Sequence, residues 1–351
     1  MRSSLLIIAA FLCSCAEPRM RSDAVVVSAP QQPKHEYVVM VSVDGLRADA
    51  LTALPKGELP AIERLLAGAY TLEARTDPGS TVTLPNHIGM LTGRFYGGPN
   101  GHRWRGNRKV PESVTLHSVR GEFTSGVFHV AKASSLRTGM VVAKEKFQVF
   151  PLSWNLPGDE PVLDTYTLEP NALLGALKVV EILKNSQEKG ALVFWHLRDM
   201  DTAGHGKGQG WSLNPESEYM RALQTADSAL GVLLAHLDSN PETRNRTAIL
   251  LTSDHGGGVP LHGHWSLGLH PENWTIPLLA WSGLGIFSGE LYALNSQTRT
   301  NPNGAISAQP SQPLAITNSE LGNLALQILG LPPIPESVAN KSQDLLLIQQ
   351  N

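Results

Sequence analysis

Four stretches of the chain are apolar almost without interruption: Tyr37–Val43, Ala191–Trp195, Ala248–Thr252 and Ile276–Trp281. A strand with one face in water alternates apolar and polar residues. A strand apolar on both faces belongs in a sheet that is covered on both sides. The pattern predicts an α/β fold, with a central, mostly parallel sheet and helices on both faces. Helical segments lie between the runs. Asn214 followed by Pro215 offers a helix start. Beyond it Tyr219, Leu223, Ala226, Leu230, Leu234 and Leu237 recur at steps of three and four, as one apolar stripe requires. Leu173, Leu177, Val180 and Leu183 make a second stripe, in a helix that stops near Gly190. Leu321, Leu324, Ala325 and Ile328 make a third, ended by Gly330. Residues 295–312 are rich in Asn, Gln, Ser and Pro and read as a surface loop.

Charge and cysteine use narrow the functional classes. The 351 residues carry 28 Lys+Arg against 31 Asp+Glu, a formal net charge of −3. That balance gives no basic footprint for nucleic acid. At 42% hydrophobic and 17% charged, the chain is not a disordered one. The only cysteines, Cys13 and Cys15, follow a basic start at Arg2 and an apolar run, Leu5–Leu12. Such a run is too short to cross a bilayer, which takes about 20 residues, and it reads as a secretory signal. Leu12-Cys13-Ser14-Cys15 resembles the bacterial lipobox, which implies cleavage before Cys15 and a lipid on its sulfur. The expected organisation is a signal peptide over 1–15, a flexible tether over 16–35 and one catalytic domain over 36–345. The mature protein is expected in the periplasm or anchored to a membrane by lipid alone.

In open α/β sheets, sites form beyond the carboxyl ends of the strands. Three of the apolar runs lead there into Asp or Asp/His: Asp44-Gly45 after the first, Asp201-x-x-x-His205 after the second, and Asp254-His255-Gly256 after the third. Glycines beside these residues permit tight turns around a bound group. A further loop, Thr81-Val-Thr83-Leu-Pro85-Asn86-His87, offers a hydroxyl nucleophile in Thr83. Such a hydroxyl becomes reactive when a base or metal lowers its pKa.

Together these motifs resemble the type I phosphodiesterase / nucleotide pyrophosphatase branch of the alkaline phosphatase superfamily. Asp44-Gly45 is similar to its first metal-ligand turn, and Thr83-x-Pro85-Asn86-His87 with Thr92-Gly93 to its nucleophile loop. Asp201-x-x-x-His205 and Ser253-Asp254-His255-Gly256 are similar to its paired ligand motifs. The resemblance runs in order from Tyr37 to Pro335. It implies an alkaline phosphatase-like fold and two zinc ions, with other divalent first-row metals possible. Asp44, Thr83, Asp254 and His255 would hold one ion; Asp201, His205 and a third histidine would hold the other. For that third ligand, His262 and His264 stand level, with His270 behind both. Mixed imidazole and carboxylate ligation suits zinc on chemical grounds as well. The resemblance also implies attack by Thr83 on phosphorus, and Asn107, five residues after His102, as the donor to a phosphate oxygen.

Other candidates read as ordinary residues. His87 is a structural hydrogen-bonder, Asp199 a polar loop residue, and His35, His117, His129, His196 and His236 core or surface histidines. The function implied is hydrolysis of phosphate esters of the diester or nucleotide pyrophosphate type, on a small nucleotide-like substrate. The alternatives are a phosphomonoesterase on the same scaffold and, behind it, a surface lipoprotein that has kept the fold without activity. A sulfatase would need Cys or Ser where Thr83 stands. Substrate choice is expected from loops 97–109, 144–168 and 206–212, whose Trp104, Trp154 and Trp211 could stack on a base or sugar or equally serve as packing or partly exposed loop anchors.

Overall fold

The computed structural model describes residues 35–266, 270–304 and 314–349. The signal peptide and residues 16–34 of the tether lie outside the described residues, as does part of the 295–312 loop. Eight strands form one sheet: β1 (Tyr37–Val43), β2 (Ala69–Arg75), β3 (Arg137–Val142), β4 (Thr165–Leu168), β5 (Ala191–Leu197), β6 (Thr247–Thr252), β7 (Thr275–Ser282) and β8 (Gly289–Glu290). Their order is β4-β3-β5-β1-β6-β7-β2-β8. Strands β4, β3, β5, β1 and β6 run parallel, and β7 runs antiparallel to both β6 and β2. The expected mostly parallel sheet is therefore present. The Ile276–Trp281 run lies in the antiparallel strand, because burial on both faces removes polar alternation whichever way a strand points.

Alternate residues of each central strand feed two cores. Val38, Met40, Leu192, Phe194, Ala248 and Leu250 face one layer of helices. That layer holds α2 (Thr83–Thr92), α3 (Val127–Ala133) and α7 (Leu321–Leu329). Val39, Val41, Val193, Trp195, Ile249 and Leu251 face the other. There lie α1 (Pro60–Leu66), α4 (Ala172–Lys184), α5 (Asp199–His205) and α6 (Glu218–Asp238). The stripe from Tyr219 to Leu237 is buried as expected, and Gly330 ends α7 in the left-handed region at φ 68°.

Two helix expectations are corrected. Helix α6 starts after Ser217, whose hydroxyl accepts the Met220 N–H at 3.2 Å. Asn214 turns its side chain back on its own loop, accepting from Glu216 N, and so does not cap the helix. In α4 the leucines at 173 and 177 are exposed; Ala172, Gly175, Ala176 and Val179 face inward. Small residues win that face because the helix lies close to the sheet. A Cβ at Gly175 would stand 3.0 Å from the Trp195 indole nitrogen.

The register fixes where the chemistry can be. Val43 pairs with Leu197, Ser42 with Thr252, and Val141 with Trp195. The carboxyl ends of β3, β5, β1 and β6 therefore emerge side by side.

Candidate active site

Asp44 leaves β1 into a turn that only glycine fits. Gly45 has φ 75°, and a Cβ there would meet the Asp201 backbone at 3.0 Å. The Gly45 N–H donates to Asp254 Oδ1 at 3.0 Å, and the Asp201 N–H donates to the Asp44 carbonyl at 3.0 Å. Three distant carboxylates are thus locked by main chain. Asp201 and His205 share one face of α5, with Oδ1 and Nε2 3.3 Å apart.

Each histidine is aimed by a backbone carbonyl. His255 Nδ1 donates to Gly256 O at 2.7 Å, His264 Nδ1 to Thr81 O at 2.7 Å, and His205 Nδ1 to His262 O at 2.8 Å. With Nδ1 so engaged, all three Nε2 atoms turn toward the carboxylates, as metal-ligating imidazoles are held. His205 Nε2 and His264 Nε2 lie 3.2 Å apart, and the His255 and His264 rings stack at 3.7 Å. Two groups result, Asp44/Asp254/His255 and Asp201/His205/His264, each with ligand atoms close enough to share one ion. His264, not His262, brings its ring into the cluster, while His262 contributes its carbonyl.

The carboxylate oxygens suit cations at both places. Asp44 Oδ1, Asp201 Oδ1 and Asp254 Oδ2 are buried and make no hydrogen bond among the described residues. Leaving buried charged oxygens without partners is costly. They converge on His255 Nε2, at 3.6, 3.9 and 3.2 Å respectively.

Thr83 is the first residue of α2 and is buried; its Oγ1 lies 3.5 Å from His255 Nε2. The positive end of a helix dipole suits an anion at that position. Asn107 stands beside it, its Oδ1 accepting from Leu84 N at 3.0 Å and from Lys146 Nζ at 2.8 Å. His87 is structural, as expected: its ring bridges Thr83 O and Ser42 Oγ. Trp104, Trp154 and Trp211 are all buried, so none offers a stacking face. Trp211 instead packs edge-on against His205 and donates to Gly45 O at 3.1 Å.

The sequence reading missed three residues that touch this cluster. His196, read as an ordinary core histidine, donates from Nε2 to Asp44 Oδ2 at 2.9 Å. Lys144 Nζ bridges Asp44 Oδ2 at 2.5 Å and Asp201 Oδ2 at 2.6 Å. Lys146 holds Asn107. Strand β3 also ends at this edge and Lys144 follows it by two residues, but β3 carries no unbroken apolar run to mark it as a strand.

The electrostatics show a cluster short of positive charge. Burial works against the Asp44 charge, but the Lys144 ammonium and His196 overcome it and hold the carboxyl well below the usual range. For Asp254, burial and then the Asp44 charge push the carboxyl well above it. Burial opposes the Lys144 charge, and Asp44 and Asp201 hold it on. Burial lowers the His264 imidazole to about 3, so its Nε2 stays unprotonated.

The sequence matches the type I phosphodiesterase / nucleotide pyrophosphatase family over residues 38–102 and 143–259, just over half of the chain. The chain belongs to that family. Asn107 falls between the matched stretches and His264 beyond them. No curated protein matches the chain in sequence. Solved structures extend the fold assignment. An alkaline phosphatase superfamily protein from Vibrio parahaemolyticus matches with a TM-score of 0.59 at 13% identity, covering 90% of this chain and 71% of that one. The lipoteichoic acid synthase of Listeria monocytogenes matches at 0.58 and 11%, covering 87% and 74%. A protein solved in complex with its substrate D-glucosamine-2-N,6-O-disulfate matches at 0.56 and 12%, covering 91% and 82%. The alkaline phosphatase-like fold expected from the motifs is thereby shown.

Proposed function

We propose that this member is a metal-dependent hydrolase of phosphate esters, of the phosphodiesterase or nucleotide pyrophosphatase type, with Thr83 as nucleophile. The observation that carries this reading is the convergence of orphaned Asp44, Asp201 and Asp254 oxygens with three inward-facing Nε2 atoms beside Thr83. Asp44, Thr83, Asp254 and His255 would hold one ion, and Asp201, His205 and His264 the other. Both donor sets mix carboxylate oxygen with imidazole nitrogen, which favours zinc. Bound ions would supply positive charge that eases ionisation of a hydroxyl and offsets charge on the phosphoryl oxygens.

The chain's own residues do the rest. Helix α2 presents Thr83 Oγ1 for in-line attack on phosphorus, and the ester oxygen leaves opposite. With Oδ1 engaged by Leu84 N, Asn107 has its Nδ2 group available to a phosphoryl oxygen. The phosphothreonine then yields to water. The lipobox at Leu12–Cys15 supports export and attachment by a lipid on Cys15.

The test uses the full chain. Bis- and mono-nitrophenyl phosphate turnover is measured with and without chelator, and in a Thr83→Ala variant. Loss of turnover under both conditions is expected. Undiminished activity in Thr83→Ala would overturn the nucleophile assignment. Absence of turnover with metals fully loaded would favour a fold retained without activity.

A further inference from the structure

Five of the six residues in the two candidate ligand groups sit on α5 or within three residues of a strand end. His264 does not. It stands on a loop, and apolar burial does not hold that loop: Leu261 is 58% exposed and Trp265 60%. Hydrogen bonds shape it instead. Asn273 Nδ2 donates to Val259 O at 2.7 Å and to Trp265 O at 3.3 Å, which ties the two ends of the loop together. The place of the His264 ring then depends on what the loop docks against, and it docks on Thr81, a fully buried residue two positions before Thr83.

Four hydrogen bonds make this joint, and their directions follow from one another. His264 Nδ1 donates to Thr81 O at 2.7 Å. Thr81 Oγ1 spends its one proton on His264 O at 2.7 Å. Ser266 Oγ, 2.9 Å from Thr81 Oγ1, is therefore the donor in that pair, and it accepts the Thr81 N–H at 3.0 Å. Every polar atom of Thr81 is engaged by residues 264 and 266. The hydroxyl works from behind the imidazole. It fixes the backbone from which the ring projects and leaves Nε2 to face His205 at 3.2 Å. We propose that Thr81 is a positioning residue for His264, its hydroxyl latching the histidine's loop onto the nucleophile's own segment, so that the Asp201/His205/His264 group is complete only while the loop is docked. The inference rests on the metal-dependent reading above.

Thr81→Val keeps the shape of the buried side chain and removes the hydroxyl; Thr81→Ser keeps the hydroxyl. Zinc affinity of the full chain is measured by competition with a chelator at constant pH, for each variant alone and combined with His264→Ala. The wild type is expected to bind two ions. Thr81→Val is expected to weaken one of them by about 10–100-fold, as loss of a group that orients a ligand does, and to leave the other unchanged. Thr81→Ser is expected to restore the wild-type value. In the His264→Ala background Thr81→Val is expected to cost nothing more, because two changes that act through one group do not add. Ser266→Ala is expected to weaken the same ion, which keeps the test open should Thr81→Val fail to fold. A residue that only supports the fold would weaken both ions or add its cost to that of His264→Ala. Either result, or unchanged zinc affinity in Thr81→Val, overturns the latch and leaves the hydrolase reading intact. The expected zinc pattern in a chain that turns over neither nitrophenyl ester upholds the latch and overturns the hydrolase reading. A chain that binds no divalent metal overturns both.

Discussion

Gly45 O is buried at the first ligand turn and takes two side-chain donors, Tyr219 OH at 2.7 Å and Trp211 Nε1 at 3.1 Å. The Tyr219 hydroxyl also accepts the Arg47 N–H at 3.0 Å. Tyr219→Phe removes one hydrogen bond from a carbonyl that keeps another and strips the Arg47 amide of its acceptor. The cost is about 2 kcal/mol, near 1 for each effect. Trp211→Phe removes the other donor and leaves a void of about 40 Å³, again about 2 kcal/mol in all. Either variant alone leaves the carbonyl partnered. The double variant orphans it, and a further 1–2 kcal/mol, roughly, is expected beyond the sum. The assay is urea unfolding of the four proteins in saturating zinc, followed by circular dichroism. Additivity to within about 0.5 kcal/mol would refute the view that the two rings share one buried acceptor under Asp44.

Two further outcomes are expected. His102 and His129 each accept a backbone N–H through Nδ1, which requires a neutral ring, and burial lowers them to about 3 and about 4. Their folded pKa lies below the unfolded one, so their contribution is present above pH 6.5 and is lost as pH falls toward those values. The loss at pH 5 is about 2 kcal/mol each. His129→Asn is expected to shrink the drop in stability between pH 8 and pH 5 by that amount, and an unchanged drop refutes it. Cys15→Ser is expected to move the protein from the membrane fraction to the soluble fraction of the exporting cell; persistence in the membrane fraction counts against the lipid anchor.

Much of the site was legible because its residues follow strands. Asp44, Asp254 and His255 come directly after apolar runs that could be read as buried strands, and Asp201 and His205 are spaced for one helical face. The third histidine was not legible. His262 and His264 are two residues apart on a loop, and the choice depends on which ring Thr81 O can reach. The lysines were hidden for a different reason. Strand β3 begins with Arg137 and contains Gly139, so it lacks the unbroken apolar run that marked its neighbours. Of the two roles open to the three tryptophans, packing holds, and loop position could not decide it because glycines open space beside the rings. A Cβ at Gly257 would lie 2.2 Å from the Trp211 ring.

The candidate ligand atoms come from positions 44 to 264, and no two neighbouring strands in the sheet order β5-β1-β6 are neighbours along the chain. A growing or half-exported polypeptide therefore holds no usable fragment of the site. Asp44 has its strand early, but its partners arrive about 150 and 200 residues later. Loading with ions can begin only once the last of these has joined and the sheet has closed around β1. On the proposed export route, the compartment in which folding finishes is thus the one whose ion supply decides which metals the enzyme carries.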